Sequence, residues 1–181
     1  MDLVMMEAWL NLFRRTPREY YADFFITPPI TLALLFFSLM HADWLWPVKF
    51  AVGVLLWTFY EYFAHRFISH QMPMFREAHA LHHQAQRDYI ALHPIMTLAI
   101  YGCFWMLFGF GYGAVSVGFS TGYIFYSIAH TAFHYATIDP GHFLYRLKMR
   151  HVLHHRTDVN FGVSASLWDR VFGTEATIKF E

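Results

Sequence analysis

The chain has 181 residues, of which 56% are apolar, 20% aromatic and only 14% charged, with thirteen Lys and Arg balanced by thirteen Asp and Glu. A soluble domain carries about 25% charged residues, so the deficit argues against a water-soluble enzyme, and zero net charge with no Lys/Arg-rich arm argues against nucleic-acid binding. The single cysteine, Cys103, excludes an internal disulfide, an iron–sulfur cluster or a thiolate zinc site, whereas the thirteen histidines are about three times the usual share.

In chain order, residues 1–27 read as an interfacial amphipathic segment, because acidic residues stand where a signal peptide would be basic and no small-residue cleavage site follows. Residues 28–64 read as a first hairpin, with helices over about Pro29–Met40 and Val48–Phe63. Between them His41–Lys49, with a proline, two charges and two tryptophans, suits an interfacial loop. The first of these helices is short for a full crossing. Residues 65–90 form a cytoplasmic histidine segment, and 91–134 a second hairpin. Fifty residues between Asp88 and Asp139 contain no Asp, Glu, Lys or Arg. That length fits two crossings of about 20 residues each. Helices over about Leu92–Phe108 and Ala114–Phe133 would meet at the turn Gly109–Gly113, with Gly102, Gly118 and Gly122 suited to close packing. Residues 135–181 complete a cytoplasmic histidine cap. The predicted fold is a single all-α integral membrane domain of about four transmembrane helices in two hairpins. Its helical cap carries a histidine-rich dimetal site. Twelve of the thirteen Lys and Arg fall on the side of the cap and only Lys49 on the other, which makes the cap face cytoplasmic.

Ten histidines fall in four clusters: His65 and His70; His79, His82 and His83; His130 and His134; His151, His154 and His155. All lie at or beyond the cytoplasmic helix ends, so they can converge. His130 and His134 share a helix face, as do the members of the 79–83 and 151–155 clusters. Five-residue spacing turns about 140° on an α-helix, so His70 is expected past the helix end or curled back. Imidazoles near lipid are costly unless paired or metal-bound, and ten exceed the four ligands of a structural zinc. Two metal ions with four or five ligands each are the economical inference. Haem needs only one or two axial histidines, and a transporter should place carboxylates or histidines at the bilayer midplane. A zinc pair would activate water, whereas iron would activate dioxygen against an unreactive substrate in an apolar pocket, which a Phe- and Trp-rich bundle favours.

These clusters, with the run Asn160–Thr174 (NFGVSASLWDRVFGT), resemble the membrane fatty acid hydroxylase superfamily, which includes sterol oxidases and fatty acid 2-hydroxylases, over about Leu56–Thr174. Trp57–His70, Tyr126–Tyr135, Leu144–His155 and the tail run look closest to the 2-hydroxylase branch. Asp88 matches an acidic position of that branch, whereas Ala91-Leu92-His93-Pro94 replaces its Arg-Leu-Val-x-Pro-Pro run and Phe75 stands at an upstream histidine. The resemblance implies a di-iron centre held by all ten histidines as metal-ligating and catalytic residues, with zinc able to occupy it in purified material. It also implies dioxygen as co-substrate, a lipid or fatty acyl substrate, and a hydroxyl placed at carbon 2. Eukaryotic members often carry a fused haem electron-donor domain that nothing here matches, so the resemblance implies electrons from a separate reductase or electron-transfer protein. The site is expected to face the cytoplasm from a bacterial inner membrane, or from the endoplasmic reticulum in a eukaryotic cell. A desaturase, a sterol or carotenoid oxidase, or a non-catalytic metal or haem carrier are the alternatives.

Free ring nitrogens of metal-bound histidines need acceptors, for which Glu61, Glu77, Asp88, Asp158, Asp169 and Asn160 are candidates; Glu61 stands out, one turn before His65 in an apolar helix. Trp168 is expected to pack beneath the site, with Asp169 paired to Arg156 or Arg170. His93 is either an extra ligand or a helix-start residue.

Overall fold

Thr16 accepts the backbone N–H of Glu19 while the Glu19 carboxylate accepts the N–H of Thr16, and Pro17 supplies a helical φ, so a helix begins here and runs to Met40. In the computed structural model, which describes residues 3–108 and 113–176, this helix is α2, Pro17–Met40, preceded by α1, Leu3–Asn11. There follow α3 (Trp46–Phe63), a π-helical turn (Ala64–Ser69), α4 (Pro73–Gln84), α5 (Pro94–Phe108), α6 (Gly113–Tyr135), α7 (Tyr145–His154) and α8 (Leu167–Val171). Among the described residues no strand forms beyond an isolated bridge between Arg14 and Ile90.

The expected boundary between residues 27 and 28 is therefore not an element boundary. α2 passes through it, with Pro28 and Pro29 inside the helix, and its 24 residues extend about 36 Å rather than falling short of a crossing. The capping box, not the proline pair, decides where the helix starts. α1 is tied down: Trp9 and Phe13 pack edge-on against Phe75 of α4, Trp9 Nε1 donates to the Met74 carbonyl, and Arg15 N donates to Tyr89 O.

α3 and α6 approach most closely because glycines remove side chains at their crossing. A Cβ on Gly53 would lie 2.1 Å from Val115 O, and one on Gly118 2.1 Å from Phe50 O. Gly122 makes room for the Trp57 indole, 2.7 Å from where a Cβ would sit. Gly102 meets nothing within 4 Å, so it has no such role. Four long helices occupy the expected regions, but among the described residues only Pro17–Met40 is by itself long and apolar enough to cross a membrane; the apolar Pro94–Leu107 is shorter. Most of the turn expected at Gly109–Gly113 lies outside the described residues, as does Lys179.

Candidate metal centre

Helix geometry sorts the ten histidines into two sets of five. His65, His70, His79, His83 and His154 form one, and His82, His130, His134, His151 and His155 the other; within each set one nitrogen per ring lies within 4.8 Å of all the rest. The π-helical turn explains how His65 and His70 join: the His70 backbone N–H donates to the His65 carbonyl, so a five-residue step returns to the same face and the rings stand 5.2 Å apart. His70, expected past the helix end or curled back, caps the π-helical turn and returns to the His65 face by this change of pitch. Four-residue steps pair His79 with His83, His130 with His134, and His151 with His155. Neighbours in sequence diverge by about 100° on a helix, so each His-His doublet straddles the two sets. His83 and His154 serve the first, His82 and His155 the second.

The nitrogens that converge are Nε2 atoms. Their closest approaches are 3.0 Å for His65–His79, 2.9 Å for His79–His83 and 3.2 Å for His70–His154. In the other set they are 3.1 Å for His130–His134, 3.0 Å for His134–His151 and 2.9 Å for His151–His155. These contacts cannot all be hydrogen bonds. His65 Nδ1 donates to Phe161 O at 2.5 Å and His154 Nδ1 to Val159 O at 2.9 Å, which leaves each Nε2 with a lone pair and no proton. His79 Nε2, between His65 and His83, has at most one proton for two neighbours, and His82 Nε2 is buried with no hydrogen-bond partner. A shared cation resolves every contact. Nitrogens about 2.1 Å from one ion lie about 3.0 Å apart at right angles and about 3.4 Å apart at tetrahedral angles. The observed spacing and five nitrogens per set fit higher coordination than a structural zinc.

Burial also prepares the rings. It holds the His65, His79 and His151 imidazoles well below the usual histidine range, with neighbouring histidines adding to the effect. The same cause lowers His82 and His154 to about 3, His83 to about 4 and His155 to about 2, and lowers His70. Each is neutral at pH 7, the form that ligates metal.

The two anchoring carbonyls belong to a loop that two buried carboxylates hold in place. Asp169, with no exposed surface, accepts the N–H of Phe161 at 2.8 Å, that of Gly162 at 2.9 Å and the Thr174 hydroxyl at 2.8 Å. Glu61 accepts the N–H of Val163 at 2.5 Å and of Ser164 at 2.9 Å, and the Ser164 hydroxyl. Asn160 turns the loop at φ 57°, and Gly162 is obligatory, because a Cβ there would lie 2.1 Å from Ala165 O.

Several expectations are corrected here. Glu61 and Asp169 act on backbone N–H groups rather than on imidazoles, because a carboxylate can gather several amides at once. The partner of Asp169 is Arg150, at 3.3 Å, not Arg156 or Arg170; Arg170 pairs with Glu175. Trp168 donates to Thr58 and packs on Phe59 at 4.9 Å, away from the histidines. Glu77 pairs with Arg76 at the surface, and exposed Asp158 stands 3.7 Å from His70 Nδ1. His93 Nδ1 accepts the Ile95 N–H, so it is a helix-start residue outside both sets. Sequence reasoning missed the carbonyls of Val159 and Phe161, which no side-chain pattern reveals; the Asn160–Gly162 pair was the available signal.

A cavity of about 420 Å³ leads from the histidines between α2, α5 and α6. His65, His79, His82 and His130 line one end, and Trp57, Ile100 and Phe119 belong to its largely apolar wall. Tyr126 stacks on His130 at 5.4 Å.

The fatty acid hydroxylase family model matches residues 50–174. The chain belongs to the fatty acid hydroxylase family. It is 31% identical over 149 residues to human fatty acid 2-hydroxylase, covering 72% of this chain and 40% of that one. To the Arabidopsis thaliana dihydroceramide fatty acyl 2-hydroxylase FAH1 it is 33% identical over 153 residues, covering 71% and 60%. A solved structure described as full-length scs7p with only the hydroxylase domain visible superposes with TM-score 0.73 at 26% identity, covering 92% of this chain and 69% of that one. The chain thus spans 40% to 60% of the length of these two relatives, and the matched family segment contains all ten clustered histidines.

Proposed function

We propose that this chain is a lipid hydroxylase that uses dioxygen and two iron ions to insert a hydroxyl group at carbon 2 of an acyl chain. The observation that carries the reading is the pair of five-histidine sets at the mouth of an apolar cavity. Iron bound there would supply dioxygen activation, with electrons from a separate reductase or electron-transfer protein and the second oxygen atom leaving as water. The ten histidines hold the metals as neutral imidazoles. Phe161 O and Val159 O keep the Nδ1 protons of His65 and His154, so Nε2 faces inward. The cavity walls exclude water and orient the acyl chain against His130 and Tyr126.

Apolar α2, where Phe25, Leu32, Phe36 and Phe37 are exposed, supports a bilayer setting, and we place four crossings at α2, α3, α5 and α6 with the histidine cap on the cytoplasmic face. The test is mass spectrometry of lipids from aerobic cells expressing the wild type or His154→Ala together with a competent reductase. Acyl chains one oxygen heavier at carbon 2, in the wild type alone, support the reading. Chains lacking two hydrogens would reassign the protein as a desaturase, and unchanged lipids would shift it to another substrate or to metal carriage.

A further inference from the structure

Tyr123, Tyr126 and His130 follow one another along α6 at helical steps of three and four, so they share a face. Tyr126 stacks on His130 with ring centroids 5.4 Å apart and planes inclined by 9°, and Tyr123 follows Tyr126 at 6.2 Å. Trp57 of α3 meets both tyrosines, at 5.1 Å and 5.7 Å. A run of oxidisable rings thus leads from a member of the second histidine set to Tyr123, about 10 Å along the helix axis. At Tyr123 the run meets a base. Its hydroxyl donates at 2.5 Å to Oδ2 of Asp23 in α2, whose Oδ1 accepts the Thr27 hydroxyl at 2.7 Å. Beyond it the ring of Tyr101 stands 5.4 Å away, but the Tyr101 hydroxyl is buried with no hydrogen-bond partner among the described residues.

A phenol gives up an electron readily only when its proton can leave at the same time, because the oxidised phenol that keeps its proton is a very strong acid. A carboxylate in a short hydrogen bond is placed to take that proton from Tyr123, whereas Tyr101 has no acceptor. Dioxygen takes four electrons and four protons to become two waters. In hydroxylation two of the electrons come from a ferrous pair and two from the C–H bond. With no lipid in the cavity, the second two are drawn from the side chains nearest the centre or from the reductase.

We propose that Tyr123, with Asp23 as its base, is a protective electron reservoir for the metal centre: when dioxygen is reduced with no lipid bound, Tyr123 gives one electron through Tyr126 towards His130 and its phenolic proton to Asp23. The products are a neutral tyrosyl radical and a protonated Asp23 carboxyl. The fourth electron comes from the reductase, as does the one that later restores the tyrosine and draws the proton back from Asp23. The oxidising equivalent is thereby held away from the ligand imidazoles, which oxidation would destroy. The proposal rests on the reading of the chain as a hydroxylase that uses iron and dioxygen.

The experiment reads the radical, not lipid turnover. Iron-loaded, chemically reduced protein in maltoside micelles, free of added lipid, is mixed with dioxygen and freeze-quenched for electron paramagnetic resonance. Iron content is the folding control, and Mössbauer spectra report oxidation of the iron. The wild type is expected to give a tyrosyl signal that ring-deuterated tyrosine narrows. Tyr123→Phe is expected to lower it about tenfold or more, and Asp23→Asn likewise, because an amide cannot take the proton that a positioned base accepts. Both variants should also yield severalfold more oxidised peptide containing His130 by mass spectrometry after repeated cycles. If Tyr123→Phe fails to hold iron, deuterium coupling in the wild-type radical decides: an exchangeable deuteron bonded to the phenoxyl oxygen is expected, and its absence overturns the pairing with Asp23. Iron that oxidises without a tyrosyl signal, or a signal that survives either substitution, overturns the reservoir and leaves the hydroxylase reading intact. Iron that does not react with dioxygen overturns both.

Discussion

Asp169→Asn is a stringent test of how the metal centre is held. The substitution keeps the shape of the side chain but replaces one acceptor oxygen with a donor amide. Asp169 has no exposed surface and faces only donors: two backbone N–H groups, the Thr174 hydroxyl and Arg150. Whichever way the amide is turned, its NH₂ confronts at least one of them, and the Arg150 guanidinium is left with Glu175 alone, at 2.7 Å, as its counter-charge. Breaking a buried, hydrogen-bonded pair on one side costs about 3–5 kcal/mol, which in a chain of this size lowers Tm by about 2–4 °C per kcal/mol. The site should suffer as well, because the Phe161 carbonyl that accepts from His65 Nδ1 is positioned by the same carboxylate. Loss of such support weakens metal binding about 10–100-fold. Metal analysis after dialysis against a weak chelator should fall from about two ions per chain to about one, since only the His65 set leans on this loop. Thermal unfolding in detergent reads the stability loss. A variant with the wild-type Tm that retains both metals would refute the reasoning.

Other outcomes follow from the same geometry. His154→Ala should abolish lipid hydroxylation and empty the His65 set while leaving membrane insertion intact, checked by metal analysis and membrane fractionation. Gly118→Leu should prevent α3 and α6 from meeting, since even a Cβ lies 2.1 Å from Phe50 O; loss of folded protein in detergent chromatography is expected, and normal yield would contradict the packing. Metal-free protein should lose stability as pH falls below about 6.5, the ordinary histidine value. The folded-state values are depressed, to about 4 for His83 and about 3 for His82 and His154, so the unfolded chain takes up protons first across that window. Stability is fully present above it, and urea midpoints that do not fall between pH 7 and pH 4 would contradict the burial. Iron-loaded protein should show no Soret band; its presence would restore the haem reading.

The sequence alone determined much of this protein. Charge-free Tyr89–Ile138 announced two apolar helices, and the spacings at His130–His134 and His151–His155 announced same-face pairs, because both depend only on local composition and the fixed pitch of an α-helix. That the ten histidines could converge was legible for the same reason. The start of α2 at Pro17 was also written locally, in the reciprocal cap of Thr16 and Glu19, but a proline pair eleven residues later masked it.

Tertiary structure decided which histidine joins which metal set. A His-His doublet names two ligands but not their partners, and only the packing of α4, α6 and α7 sends His82 one way and His83 the other. The π-helical turn brings His70 beside His65, and both rings meet residues far along the chain, His65 at the Phe161 carbonyl and His70 at His154. Glu61 and Asp169 were recognisable as unusual, yet their targets are backbone amides about a hundred and about seven or eight positions away, and a main-chain donor leaves no mark in the sequence. Local patterns fix pitch and polarity; the pairing of groups distant along the chain is settled only when the helices close on one another.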